Sequence, residues 1–313
     1  MASNPDPSFF APPGEVRDWR MIVLFDAAAG AGVLDTLPGG ADGVAASLGL
    51  DPRAVRVVLD ALTAWGIVAR DGDGRYSLGP DAPTREVAAQ WRHHARAIRS
   101  WSGTLDRRLR GEPDELRAGL ADPELFIDAL GATARKGAPV VVDTVLHRFP
   151  NARTVLDLGG GHGEHSLEFA RRGLHATLQD LPTMVDIVRR RGVLAEAGVE
   201  LFEGSFFEVL PDGPFDIAFC TGITHTFDAE HNRLLYRRLR PIVTSMGGIA
   251  VISFLRHRQP LADVFAVQML ANARGGDTHS EEEYRAWLTD AGFVVDAEPV
   301  DLPGRPQSAL FAS

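Results

Sequence analysis

A buried-strand pattern that runs straight into a cluster of glycines limits the folds open to this chain more than any other feature. The segment reads Val155-Leu156-Asp157-Leu158-Gly159-Gly160-Gly161-His162-Gly163, and a helical pattern over residues 164–172 follows it. Glycines here let the backbone turn sharply and come close to a ligand, while the N–H groups that open the helix face the same space. Alone, such a loop is also compatible with a dinucleotide site. Two details argue against that. The spacing is G-x-G-x-G rather than G-x-G-x-x-G, and Asp157 stands at the strand's end, two residues before the first glycine. A carboxylate there suits an ammonium group or a bridging water and would repel a pyrophosphate.

From residue 152 onward, apolar runs at 154–158, 175–179, 199–202, 215–220, 248–254 and 293–297 alternate with helical segments. Strands separated by helices predict an α/β fold with a mostly parallel, doubly wound sheet covered on both faces. The first half reads differently. Helices are expected over 21–29, ended by Gly30 and Gly32, and over 41–48. A third helix is expected to open at Asp51-Pro52, an N-cap followed by proline in the first turn. Val55, Val58, Leu59 and Leu62 form one apolar face on it. The segment 66–78 then sets two strand-like runs around Asp71-Gly72-Asp73-Gly74, a strong hairpin signal. Three short helices and a hairpin make a winged-helix pattern. The expected layout is a winged-helix-like unit over 15–85, a helical connector over 86–150 that walls a pocket, and a sheet domain over 151–313. Residues 1–14 are proline-rich and expected to fray.

Charge decides what such a first half is for. The 313 residues carry 32 basic and 42 acidic side chains, a net −10, and only one lysine, Lys136. The third helix offers just Arg53 and Arg56, whereas a nucleic-acid backbone needs clustered cations. Dimerisation is therefore expected of this unit, with no nucleic-acid partner. A single cysteine, Cys220, excludes an internal disulfide and a Cys-rich zinc site. No secretory signal or membrane-length apolar run is evident, which points to a cytoplasmic location without membrane attachment.

The sheet domain repeats acids and aromatics at its strand ends. Asp180, seventeen residues past Gly163, is placed to accept both hydroxyls of a ribose. Gly204-Ser205-Phe206-Phe207 follows a further strand end, and one of its rings is expected to pack on an adenine. Residues 154–182, with Asp180-Leu181-Pro182, resemble motif I and the second strand of class I S-adenosylmethionine methyltransferases. With Thr224-His225-Thr226-Phe227-Asp228 and the ending Ser280-Glu281-Glu282-Glu283-Tyr284…Ala291-Gly292-Phe293, residues 18–300 resemble small-molecule O-methyltransferases that carry an N-terminal winged-helix dimerisation domain. The resemblance implies S-adenosylmethionine as cofactor and a homodimer. It implies Asp157, Gly159, Gly161 and Gly163 around the methionyl end, Asp180 and Leu181 at the ribose, Ser205 and Phe206 at the adenine, and Thr221 completing the set. Residues 126–130 and 264–269, with Phe265 and Met269, are expected to wall the substrate pocket.

Transfer of a methyl group to a hydroxyl needs a proton acceptor. The resemblance places it at His225, just past the fourth strand of the sheet domain. The family's pattern is not complete here. The position after the histidine is Thr226 rather than Asp, and the acidic partners fall near Ser253-Phe254 and Thr278, where no carboxylate stands. His279 opens a second reading, metal-assisted C-methylation through a His225/His279 pair, although two histidines without a carboxylate make a poor metal site. No metal is expected. A histidine that only positions substrate, or a chain that binds the donor without transfer, completes the alternatives.

Overall fold

The computed structural model describes residues 19–111, 122–273 and 275–313, so the proline-rich start lies outside the described residues. The chain divides into two compact units, one ending at Arg99 and the other running from Ser100.

In the first unit, α1 (Trp19–Gly30), α2 (Ala41–Leu48) and α3 (Pro52–Ala64) precede a hairpin of β1 (Val68–Arg70) and β2 (Tyr76–Leu78). This is the winged-helix arrangement read from the sequence. The Asp51 carboxylate caps α3 by accepting from Ala54 N at 2.7 Å. Val55, Leu59 and Leu62 are buried against Met21, Phe25 and Tyr76, so the apolar stripe of α3 faces the core of this unit. In the hairpin turn, Asp71 Oδ1 accepts from Asp73 N and Arg75 N. The helix α4 (Arg85–Leu109) follows.

The second unit continues with α5 (Pro123–Arg148), β3 (Thr154–Leu158), α6 (Glu164–Arg171), β4 (His175–Asp180), α7 (Pro182–Arg191), α8 (Val193–Glu196), β5 (Glu200–Glu203) and β6 (Phe215–Thr221). It ends with α9 (Ala229–Leu239), β7 (Val243–Ser253), α10 (Pro260–Asn272), α11 (Glu281–Asp290), β8 (Val300–Asp301) and β9 (Ser308–Ala312). Seven strands form one sheet in the order β5-β4-β3-β6-β7-β9-β8. Strands β3 to β7 pair in parallel, while β9 is antiparallel to both β7 and β8. Alternate residues feed opposite cores: Val155, Ile217, Phe219 and Ala250 face one, and Leu156, Leu158, Ala218 and Cys220 the other. The strand order reverses between β3 and β6, which is where open α/β sheets bind ligands beyond their strand ends.

The C-terminal part departs from the expected pattern. Residues 293–297 form no strand beyond a single bridge, Val295 to Ala312. The last two strands are β8 and β9, and β7 starts five residues earlier than its apolar run. Polar residues at the start of β7 hide its first half, and the partner of β9 lies more than fifty residues away in sequence.

Candidate active site

The glycine loop leaves β3 at that reversal point and is tied to the neighbouring strand. Gly159 N donates to Gln179 O at 2.8 Å, and Gly163 N closes the loop on Gly160 O at 2.8 Å. The three glycines of the motif are left-handed, with φ of +64°, +45° and +77° at 159, 161 and 163, a region that side chains disfavour. They do different work. A Cβ at Gly159 would strike Ile223 and one at Gly163 would strike Leu194, so both permit close packing. Gly161 instead faces Asp180, whose Oδ2 would lie 3.8 Å from such a Cβ. Gly160, which the motif spacing leaves out, is equally constrained, because a Cβ there would meet Leu178 and Asp157.

Two acids flank the loop. Asp157 is fully buried; its Oδ2 accepts from Ser166 Oγ at 2.6 Å, and its Oδ1 is buried with no partner among the described residues. Burial pushes its carboxyl up to about 7, the Ser166 hydroxyl opposes this, and the nearby Asp180 charge adds to it. Asp180 at the end of β4 accepts from Gly161 N at 2.8 Å and Leu181 N at 2.7 Å. Burial raises its carboxyl against those two backbone bonds. The Leu181 side chain beside it is exposed.

The next crossover is held by Gln179, a residue that no sequence motif singles out. Its side-chain amide nitrogen, Nε2, donates to Gly204 O and Val209 O, fixing the segment after β5. Ser205 serves that turn: its hydroxyl accepts from Phe207 N and its carbonyl from Glu208 N and Val209 N. Phe206 differs from the expectation of an adenine-facing ring. It is buried beneath Phe207 at 4.9 Å and Phe227 at 5.7 Å and belongs to the core. Phe207 is the half-buried ring of the pair. Thr221 ends β6 opposite Ile252, half-buried.

His225 sits in a 3₁₀ turn, Thr224–Thr226, between β6 and α9. The turn is clamped from behind. Asn232 Nδ2 donates to the carbonyls of Thr224, Phe227 and Asp228, and Tyr284 OH bridges Thr224 Oγ1 and Ser253 Oγ. Asp228 is the N-cap of α9. The His225 ring is buried, meets Phe265 edge-on at 4.9 Å, and has an Nδ1 with no partner among the described residues. Burial, then the neighbouring His279, lowers its pKa to about 3. Phe265 is stacked on Phe254 at 4.1 Å, and Met269 is buried on the same helix, α10. Phe126, on α5, packs instead against the core of the other sheet face.

His279 is committed elsewhere. Its Nε2 lies 2.9 Å from Phe227 O, and since a carbonyl only accepts, that nitrogen carries the proton. Thr278, near which the resemblance places an acid, is buried with a hydroxyl that has no partner among the described residues. Among the described residues no three His, Cys, Asp or Glu side chains gather as a metal ligand set. His165 is buried and His162 half-buried near the glycine loop, with pKa values lowered first by burial.

Comparison with known proteins agrees with this geometry. Residues 125–294, more than half of the chain, match the family model described as O-methyltransferase domain. The chain is 28% identical over 307 residues to 3-amino-4-hydroxybenzoate 4-O-methyltransferase of Streptomyces cremeus, covering 89% of this chain and 83% of that protein. It is 27% identical to the tetracenomycin polyketide synthesis 8-O-methyl transferase TcmO of Streptomyces glaucescens, covering 79% of each. Among solved structures, mitomycin 7-O-methyltransferase MmcR shares the fold with a TM-score of 0.73 at 23% identity over 94% of both chains. Human N-acetylserotonin methyltransferase, solved in complex with SAM, gives 0.70 at 22% identity, again over 94% of both.

Proposed function

Because the chain belongs to the O-methyltransferase domain family, we propose that it moves a methyl group from S-adenosylmethionine to a hydroxyl oxygen of a small, partly apolar molecule, with His225 accepting the proton. The donor supplies an electrophilic methyl on a sulfonium sulfur. The residues fit it. Asp157 presents a buried carboxylate oxygen without a partner, and an ammonium group satisfies such an atom. Asp180 faces the glycine loop and can exchange its backbone donors for ribose hydroxyls, while the exposed Leu181 side chain offers an apolar edge beside it. Gly159, Gly161 and Gly163 keep the loop flat and close, and Ser205 and Thr221 stand at the neighbouring strand ends. Phe207 rather than Phe206 has the open ring for an adenine. For the acceptor, the stacked Phe254 and Phe265 beside His225 form an apolar wall. Oxygen is favoured over metal-assisted carbon methylation because the matching family model is that of an O-methyltransferase domain and, among the described residues, no acid joins His225 and His279 as a third ligand.

The observation that carries this proposal is the unpartnered Asp157 Oδ1 under the glycine loop. It makes donor binding pH-dependent. With its carboxyl pushed up to about 7, Asp157 holds a proton below that pH and must release it to take an ammonium. Affinity for S-adenosylhomocysteine is therefore expected to rise with pH up to about 7 and to fall about tenfold for each unit below it. Calorimetry in two buffers of different ionisation enthalpy reads the proton release directly. An affinity flat from pH 5.5 to 7.5 would take Asp157 out of the role. The function as a whole is tested by incubating the protein with S-adenosylmethionine and a panel of phenols: S-adenosylhomocysteine and a methyl ether are expected. Folded protein that binds neither donor nor demethylated donor overturns it.

The layout carried into this proposal is a dimerisation module over 15–85, a connector over 86–150 and a catalytic domain over 151–313. The first unit's acidic balance and its exposed Trp19, Val57 and Leu78 support protein association of that module. No helix among the described residues is long and apolar enough to cross a membrane. Use of a donor made inside the cell fits a cytoplasmic location.

A further inference from the structure

The turn between β8 and β9 carries a cation that has no acid partner among the described residues. Because β9 runs antiparallel to β7, with Ser308 opposite Ser253, this turn lies at the C-terminal edge of the parallel strands, the same edge as the glycine loop. It is closed by Arg305 N donating to Leu302 O and Leu302 N donating to Gln307 O. From it the Arg305 side chain reaches onto α5, where a Cβ built at Gly137 would overlap its Nη1. Six residues earlier on the same helix, Gly131 receives His162 of the glycine loop, whose Cβ would lie 3.2 Å from one built there. The guanidinium and the glycine loop thus rest on one helix, about 9 Å apart along its axis.

The hydrogen bond of the Arg305 side chain is to a neutral group, Nε to Gln307 Oε1 at 3.2 Å. Several arginines of this unit with partly covered side chains have carboxylates, Arg148 with Asp296 and Arg256 with Asp277 and Glu283 among them, while Arg238 and Arg240 donate to main-chain carbonyls. Near the glycine loop, Arg135 is matched by Glu164. Burial alone lowers the Arg305 pKa, with no acid to oppose it. The nearby His165 is held neutral by its own burial, to which His162 and Arg305 add. A half-buried guanidinium without an anion is costly, yet its planar fork is the best side-chain match for a carboxylate.

We propose that Arg305 anchors a carboxylate subsite of the crevice, gripping the carboxylate of a small molecule bound there. Two sources share this chemistry: the α-carboxylate of the methyl donor and an acidic group on the acceptor. The subsite rests on reading the crevice as the methyl-transfer site, and Gly137 is the notch in α5 that admits the guanidinium.

The test compares wild type with Arg305→Gln and Arg305→Lys by thermal melting and calorimetry. Probes are S-adenosylhomocysteine against its decarboxylated form, and 4-hydroxybenzoate against 4-hydroxybenzamide. Arg305→Gln is expected to melt no lower than wild type when unliganded, since an uncompensated charge is gone. It is expected to bind a carboxylate probe about 10- to 100-fold more weakly, with the neutral counterpart unaffected, and Arg305→Lys is expected to recover part of the loss. A loss seen with S-adenosylhomocysteine and not with its decarboxylated form assigns the donor's carboxylate. A loss confined to 4-hydroxybenzoate assigns the acceptor's. If neither carboxylate binds the variant less tightly than wild type, or if the unliganded variant merely melts lower, the proposal is overturned. Wild type that binds no S-adenosylhomocysteine defeats the methyl-donor reading, and the 4-hydroxybenzoate arm still decides the subsite.

Discussion

Replacing His225 with alanine is expected to lower turnover at saturating donor by about 10²- to 10⁴-fold, the range for a general base, while S-adenosylhomocysteine affinity stays within about twofold. The imidazole is buried, is oriented by Phe265 rather than by a carboxylate, and has a pKa lowered to about 3. An imidazole of low basicity still serves, because the acceptor's hydroxyl proton becomes strongly acidic as its oxygen takes up the methyl group. The sign of the pKa shift gives a second readout. A base whose pKa falls from its ordinary 6.5 to about 3 is neutral and competent throughout the working range. Turnover at saturating donor should therefore show no acidic limb near pH 6.5, although donor affinity still follows Asp157. Stopped-flow or initial-rate profiles between pH 5.5 and 8 check this. Unchanged turnover in His225→Ala would mean that alignment alone drives transfer.

Removing the Asp180 carboxylate is the companion experiment, with its effect on binding instead of turnover. Asp180→Ala should weaken S-adenosylhomocysteine by about 10²-fold or more, since hydrogen bonds to a charged acceptor contribute about 1.5–3 kcal/mol each. It also deprives Gly161 N and Leu181 N of their acceptor, so Asp180→Asn is the control that keeps shape and one acceptor oxygen. Calorimetry on both, with circular dichroism to verify folding, separates loss of the ribose contact from loss of the loop. Affinity within threefold of wild type in Asp180→Ala would remove this residue from the donor site.

How much of this was legible in the sequence depends on how local each signal is. The Asp51-Pro52 helix start, the Asp71 turn and the strand-to-glycine run are each written in a few adjacent residues, and each folds as read. The pairing of β9 with β7 and β8 depends on a distant partner and leaves no local signal. Which of Phe206 and Phe207 enters the core is set by Phe227, arriving from the next crossover. Gln179 and Asn232 left no trace at all, because a buried amide shows its value only through the carbonyls that fold around it. The absence of an acid beside His225 was visible in Ser253 and Thr278. What filled that place, a tyrosine bridging two hydroxyls and a clamp of main-chain carbonyls, was not.

The parallel pair of rings at Phe254 and Phe265 has a selective consequence. A slab of this kind welcomes flat, unsaturated guests and turns away hydrated, sugar-like ones, whose lost solvation it cannot replace. It also keeps the neighbourhood of the imidazole nearly dry, so stray water is poorly placed to squander the reactive alkyl group on methanol formation.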